Sequence, residues 1–361
     1  METKNKRSVI FLGHAQSGKT SLTEALLFHC KATGRKGTVL EGNTVSDYNW
    51  DEIERKSSIS AGFLYCDYQG TRIQMVDAPG FLDFYGDVLS SIRAVDNAVV
   101  VIDGSAGVEV GTERVWQLLD EIGMPRVIFV NKIDKAGADK DALVKEIRDT
   151  LSCNAVVLDT TALETLMESI AESDDSLLET YLNNGKLSIE EIKSGLHQAV
   201  DNAKVFPIIF GSALTGSGLD ELLTAIKDDL ASPAERPFMR VAEGAVEPSE
   251  DAPFSALVFK SIFDPYVGQL SLARIFSGKI SANDSFYNVT QKSMERFGHL
   301  YLLQGKDQNA VDAASSGDIV AIPKLKQTWT NDSLSDQSHP VVFAPIEFPD
   351  TMISASIKTK T

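Results

Sequence analysis

The sequence predicts an α/β domain carrying a helical insertion, followed by a small all-β barrel domain. Two patterns support this. Early in the chain, short β-branched runs alternate with helical patterns: residues 8–12, 72–76, 98–102 and 126–130 read as strands and 19–30 as a helix. Such alternation favours a mostly parallel sheet wrapped by helices. The runs are apolar on both faces, as a sheet covered on each side requires. Later the pattern changes to short strands at 254–259, 270–276, 286–289 and 319–322, punctuated by Gly268, Gly278, Asn283-Asp284 and Gly317-Asp318. That rhythm suits a barrel of about 80 residues.

Residues 139–203 are mainly helical and acidic. Ala171-Glu172-Ser173-Asp174-Asp175 and Ser188-Ile189-Glu190-Glu191 read as helix starts, with Ser173 or Ser188 capping and carboxylates in the first turn. A strand at 205–210 and a helix at 219–230 then return to the first sheet, so 139–203 is expected as an insertion within a domain spanning 1–236. The breaker cluster Ser232-Pro233-Ala234-Glu235-Arg236-Pro237 opens a linker over 237–253, and the barrel is expected over 254–335. After His339-Pro340, Ile353, Ala355 and Ile357 alternate with polar residues as one more strand. Residues 340–361 are therefore expected to begin a third domain that this chain cuts short.

With 361 residues, 43% hydrophobic and 24% charged, the chain has ordinary globular composition and room for two or three domains. The apolar run at 9–12 is too short for a signal peptide or a membrane span, so no membrane association is expected. Cys30, Cys66 and Cys153 are far apart and lack metal-ligand spacing, which reads as three inert thiols in a reducing cytoplasm. A net charge of −17 argues against coating nucleic acid through bulk electrostatics, although a local basic face can still dock an acidic chain on a ribonucleoprotein. A monomer is expected.

The chemistry concentrates in loops that follow the strands, where α/β sheets place their ligands. Gly13-His14-Ala15-Gln16-Ser17-Gly18-Lys19-Thr20 satisfies G-x-x-x-x-G-K-[ST] between a strand and a helix. Its glycines let backbone N–H groups wrap a phosphate, Lys19 reaches the β/γ-phosphates and the Thr20 hydroxyl ligates Mg²⁺. Asp77-Ala78-Pro79-Gly80 ends another strand. Asp77 can hold Mg²⁺ through a water, and the Gly80 N–H can meet the γ-phosphate. Alone, the Pro-Gly pair would be a plain turn. Asn131-Lys132-Ile133-Asp134 supplies a base reader: Asp134 can accept from guanine N1–H and N2–H₂, which adenine lacks, while Asn131 contacts the purine's other edge and Lys132 lies along the ring. Gly211-Ser212-Ala213-Leu214 completes the set, with the Ala213 N–H as candidate donor to guanine O6. The order and spacing are those of a P-loop GTPase domain, so GTP or GDP with Mg²⁺ is the expected ligand.

The segment from Asp47 to Ser60 resembles elongation factor G, as do Asp77-Ala78-Pro79-Gly80-Phe81-Leu82-Asp83-Phe84 and Phe259-Lys260-Ser261-Ile262-Phe263-Asp264-Pro265-Tyr266-Val267-Gly268 with Ser277-Gly278. The insertion is similar to that family's extra subdomain, though it looks short of strands. Ile357-Lys358-Thr359-Lys360 resembles the opening of its third domain. The resemblance implies a translation factor that couples GTP binding and hydrolysis to ribosomal translocation, with ribosomal RNA and proteins as partners. It also implies that Ser58 stands where the family has its Mg²⁺-binding threonine.

Three departures fall on hydrolysis. Phe81 occupies the position of the family's water-positioning histidine, Gln16 that of an aspartate, and Arg55-Lys56 that of an arginine-glycine pair. In relatives the aspartate and that glycine's carbonyl are associated with a monovalent cation. No catalytic side chain is assigned, hydrolysis is expected to be slow or altered, and Phe81 is expected to pack beneath a mobile loop. His14 resembles a residue the family has in addition to its catalytic histidine. Two alternatives stand beside the translocation reading: a nucleotide-responsive ribosome-binding factor with little or no hydrolysis, and a ribosome-protection or release-factor-like GTPase.

Overall fold

The computed structural model describes residues 1–135, 139–158, 163–236, 241–244, 246–264, 268–349 and 354–358. The first sheet contains β1 (Lys6–Leu12), β2 (Gly62–Tyr68), β3 (Thr71–Asp77), β4 (Asn97–Asp103), β5 (Arg126–Asn131), β6 (Ala155–Val157) and β7 (Phe206–Phe210), in the order β2-β3-β1-β4-β5-β7-β6. Every neighbour runs parallel except β2, which pairs antiparallel with β3. The helices are α1 (Lys19–His29), α2 (Trp50–Arg55), α3 (Tyr85–Ser91), α4 (Val110–Glu121), α5 (Lys140–Thr150), α6 (Leu163–Ser173), α7 (Asp175–Asn184), α8 (Ile189–Asp201) and α9 (Leu219–Asp228).

Strand periodicity sorts the core into two layers. Val9 and Phe11 of β1 pack with Leu22 and Leu26 of α1 and Leu222 and Ile226 of α9. Ile10 and Leu12 face the other way, toward Val88 of α3 and Trp116 and Leu119 of α4. Because β1, β4 and β5 are buried along their whole length, the loops leaving their carboxyl ends sit on a rigid base.

The insertion is not purely helical, since its β6 adds a parallel edge strand beside β7. Ser188 caps α8 in a reciprocal box: its hydroxyl accepts the Glu191 N–H at 3.2 Å while the Glu191 carboxylate accepts the Ser188 N–H at 2.7 Å. Ser173 does not start a helix. It ends α6, donating to the Ile170 carbonyl at 2.7 Å, and Asp174 caps α7 by accepting from Ser176 and Leu177. A carboxylate that accepts two orphan N–H groups outcompetes the neighbouring hydroxyl for the cap.

The second unit comprises β8 (Val241–Glu243), β9 (Ser255–Asp264), β10 (Gly268–Ser277), β11 (Lys279–Ser281), β12 (Ser285–Asn288), β13 (Ser293–Arg296), β14 (Leu300–Gln304), β15 (Asp307–Val311), β16 (Ala313–Ser315), β17 (Ile319–Pro323), β18 (Ser333–Ser335) and β19 (Val342–Phe343). Eight of these form an antiparallel sheet in the order β13-β12-β18-β9-β10-β17-β14-β15, with β11–β16 and β8–β19 as two-stranded ribbons. Phe254, Val258, Ile275, Phe286, Leu300 and Val320 share its core. Of the sequence-predicted features, Pro237, linker residues 237–240 and 245, Pro265-Tyr266-Val267, Ile353 and Thr359-Lys360 lie outside the described residues. The strand expected through Ala355 and Ile357 is not formed over 354–358. Val342 and Phe343 pair with β8 instead, and the Phe343 ring packs tilted against Phe276 with ring centroids 4.7 Å apart, whereas Ile357 is 95% exposed.

Charged locks join the two units. Lys6 of β1 donates to Asp318, Ser315 and the Ser316 carbonyl, and Lys260 of β9 grips Asp87 of α3. Arg274 of β10 donates to Asp96 at 2.6 Å, with both side chains 1% exposed. Asp96 also accepts the Ser8 hydroxyl at 2.7 Å. Removing one charge from so buried a pair strands the other, so Asp96→Ala is expected to destabilise the chain by about 3–5 kcal/mol. A denaturation midpoint unchanged from wild type would show that the pair contributes nothing.

Candidate nucleotide-binding site

The loop 13–18 leaves buried β1 and turns into α1 through backbone that few residues tolerate. Gly13 has φ 144° and Gly18 φ 96°; a Cβ on the first would collide with the Val101 carbonyl oxygen and on the second with the Asn131 amide. Gln16 is held in the left-handed region at φ 64°. Among the described residues, the N–H groups of Ala15, Gln16 and Gly18 make no hydrogen bond within the protein. A loop of free donors at a helix N-terminus is an anion cradle.

Lys19 folds back into this loop, donating to the carbonyls of Gly13 at 3.1 Å and His14 at 2.8 Å. Burial lowers its pKa to about 8, against the opposing pull of the Asp77 and Asp47 carboxylates. Gly80 presses against this corner, where a Cβ would approach the Lys19 ammonium to 2.5 Å and Ala15 Cα to 2.8 Å. Only a residue without a side chain fits there.

Thr20 and Ser58 bring their hydroxyls within 3.1 Å of each other. Asp77 is fully buried at the end of β3, its Oδ2 accepting the Ser46 hydroxyl at 2.8 Å while its Oδ1 has no partner among the described residues. Beside it stands Asp47, facing Ser58, with both carboxylate oxygens buried and neither in a hydrogen bond of ordinary geometry among the described residues. Burial, reinforced by the neighbouring Asp77 charge, raises the Asp47 pKa to about 7, and burial likewise raises that of Asp77. Orphaned carboxylate oxygens beside two hydroxyls are the hard-oxygen donor set a divalent cation takes, so these residues fit Mg²⁺. Asp47 was not assigned a role from the sequence, where nothing sets it apart except its place in the stretch to Ser60. With Ser58 expected to serve a cation that reaches the γ-phosphate, Ser58→Ala is expected to weaken GTP by about tenfold and GDP little, a tenfold change being about 1.4 kcal/mol. Equal losses for both nucleotides in a titration would overturn that role.

At the base end, Asn131 ties three loops together. Its Oδ1 accepts the N–H groups of Lys132 and Ala213, each at 2.9 Å, and its Nδ2 donates to the Ser17 carbonyl at 3.1 Å. The Ala213 N–H expected to meet guanine O6 is therefore given to Asn131, and both polar ends of Asn131 are engaged within the protein. The neighbouring Leu214 N–H has no partner among the described residues, and Leu214 is exposed. Ser212 is buried, its N–H bonded to the Ser217 carbonyl at 2.9 Å. Lys132, at φ 63°, lies over the phosphate loop and donates to the Gln16 carbonyl at 2.7 Å and to Asp103 at 2.6 Å. Asp134 is exposed at the mouth of this group, and its carboxylate makes no hydrogen bond among the described residues.

Three residues that depart from the resemblance meet in one place. Gln16, Lys56 and Phe81 line a single cavity of about 210 Å³ together with Lys19, Thr20, Asp47, Ser58 and Gly80. Phe81 is 40% exposed and so does not pack beneath a loop; it stands at the cavity rim, where the short turn Leu82–Phe84 begins. Lys56 ends α2 in the left-handed region at φ 52°, a conformation that favours glycine. His14 serves α4, its Nδ1 accepting the Gly111 N–H at 3.2 Å and its Nε2 lying 3.4 Å from Glu109.

Fold and loops together define a P-loop nucleotide-binding domain joined to a β-rich domain. Residues 4–232 match the Elongation factor Tu GTP binding domain, and residues 253–337 match Elongation factor G domain 2. Among solved structures the chain is similar to the Thermus thermophilus protein ttk003000868, with a TM-score of 0.85, 30% identity and 96% of this chain covered. It spans 57% of that protein's length. The chain belongs to the elongation factor G-like translational GTPases. No helix among the described residues is long and apolar enough to cross a membrane.

Proposed function

We propose that this chain binds GTP and GDP with Mg²⁺ and, as an elongation factor G-like protein, couples the nucleotide cycle to ribosomal translocation in the cytoplasm, with slow hydrolysis. The reading rests on one observation: the loops at 13–20, 58, 77–80, 131–134 and 212–214 gather at the carboxyl ends of the buried strands around an anion cradle. In this scheme residues 1–236 form the nucleotide-binding domain, 254–335 the second domain and 340–361 the start of a third.

The N–H groups of the 13–18 loop and the Lys19 ammonium would hold the phosphates, and Asp134 would read guanine. Thr20 and Ser58 would hold Mg²⁺ directly and Asp77 would hold it through water. Bound there, Mg²⁺ would neutralise phosphate charge as the γ-phosphoryl group transfers. Gly80, already against Lys19, would report the γ-phosphate to the residues of α3.

A second reading keeps the binding site and removes most of the turnover: a nucleotide-responsive ribosome-binding factor. The meeting of Gln16, Lys56 and Phe81 in one cavity favours it. Titration with fluorescent GDP and GTP, followed by turnover with and without ribosomes, separates the two. Ribosome-stimulated turnover supports the first reading, and tight binding without turnover supports the second. Absence of guanine nucleotide binding would sink both.

A further inference from the structure

We propose that Glu24 is a positioning residue for the Mg²⁺ site: it closes the neck of the segment 37–45 and so sets where Ser46 and Asp47 stand. This rests on reading the site as one for Mg²⁺ and guanine nucleotide. Glu24 lies in α1, one turn beyond Thr20, and is completely buried. Its Oε2 accepts the Gly37 N–H at 2.9 Å and its Oε1 accepts the Val45 N–H at 2.6 Å. One carboxylate thus holds both ends of a single excursion of the chain.

The excursion is closed on itself as well. The Thr38 N–H donates to Asn43 Oδ1 at 2.8 Å, and the Asn43 side chain donates to Glu41 at 2.9 Å. Gly37 is so tightly enclosed that a Cβ would come within 2.6 Å of Glu24 Oε2. Across the neck, Gly305 of the second domain packs directly on the Val45 carbonyl and donates its own N–H to the Phe63 carbonyl at 2.9 Å.

The chain enters the site directly after this neck. The Ser46 hydroxyl bonds Asp77, and Asp47 presents beside Asp77 and Ser58 a carboxylate that makes no hydrogen bond of ordinary geometry among the described residues. An ionised carboxylate offers acceptors only, so it serves two N–H donors at once. A glutamine of the same shape would accept from one and set its own N–H₂ against the other. The loop would lose one anchor without losing the side chain's volume, and Asp47 would lose its fixed place. Partners that orient metal ligands change metal affinity by about 10–100-fold when removed.

The test uses the full chain with Glu24→Gln and Glu24→Ala. One readout is the Mg²⁺ concentration that half-maximally slows release of a fluorescent GDP. The other is hydrogen exchange at the Gly37 and Val45 amides in protein without Mg²⁺ or nucleotide. Expected are a Mg²⁺ midpoint raised about tenfold by Glu24→Gln and further by Glu24→Ala, with faster exchange at Gly37 and Val45 and unchanged exchange in β1, β4 and β5. A Mg²⁺-dependent wild type whose midpoint neither variant moves overturns the role of Glu24 alone. Variants that release GDP faster at every Mg²⁺ concentration, with the midpoint unmoved, overturn it too. A wild type whose GDP release ignores Mg²⁺ overturns the reading of the site, and this role with it.

Discussion

ATP is expected to bind this chain at least about 10⁴-fold more weakly than GTP, because a site that reads a ligand's polar edge strands its own groups against the wrong ligand. Asp134 stands exposed with a carboxylate that makes no hydrogen bond among the described residues, so a base that covers it must supply donors. Guanine brings N1–H and N2–H₂; adenine brings neither and would leave a covered charge unpaired. The rest of the base site is already rigid, since Asn131 binds Lys132, Ala213 and Ser17 at once. With the Ala213 N–H engaged by Asn131, the adjacent Leu214 N–H, without a partner among the described residues, is the expected donor for guanine O6. Asp134→Asn should weaken GTP and raise the affinity for xanthosine triphosphate, whose C2 oxygen accepts where guanine donates. Equal affinities for ATP and GTP in a titration would remove Asp134 as the base reader.

The loops were legible in the sequence because each is local: a glycine pattern, a turn or a short polar run directly after an apolar strand. Their meeting at one end of the sheet follows from parallel strand direction alone. Elements with little local signal were missed. β6 has only three residues, Ala155, Val156 and Val157, and becomes a strand because β7 offers an edge. β2 runs antiparallel to β3 and mixes polar with apolar residues, so its Tyr65-Cys66-Asp67-Tyr68 stretch did not stand out. The α6–α7 boundary fell one residue late, at Asp174 instead of Ser173, because both are good caps and only the folded backbone decides between them.

Residues that act through burial were invisible for a different reason. Glu24 sits inside a helical pattern where a solvated face would be the ordinary reading, and only the folded chain shows it enclosed against Gly37 and Val45. Asp96 and Arg274 are separated by 178 residues, and neither lies in a motif. Asp47 was visible as part of a family-like stretch, yet the burial of its carboxylate beside Asp77 and Ser58 appears only in the folded chain.

Phe81→His is expected to accelerate ribosome-stimulated GTP turnover while leaving GTP affinity nearly unchanged. A well-placed acid–base side chain contributes about 10²–10⁴-fold, and a phenyl ring has no donor or acceptor with which to position water. Phe81 is half-exposed on the rim of the cavity that Lys19, Thr20 and Gly80 line, so a histidine there meets no packed core and can reach inward. The single change should recover only part of the rate, because Gln16 and Lys56 share the cavity and, by the resemblance to elongation factor G, stand where a monovalent cation is expected. Adding Gln16→Asp restores a carboxylate on the phosphate loop. Adding Lys56→Gly removes a cationic side chain and relieves a left-handed backbone, worth about 1 kcal/mol, so the triple variant should fold at least as well as wild type. Turnover on ribosomes should rise from wild type to Phe81→His to the triple variant. Fast turnover by the unmodified chain would mean that another group positions the water. A triple variant that binds GTP normally and still fails to turn over would place the block outside this cavity.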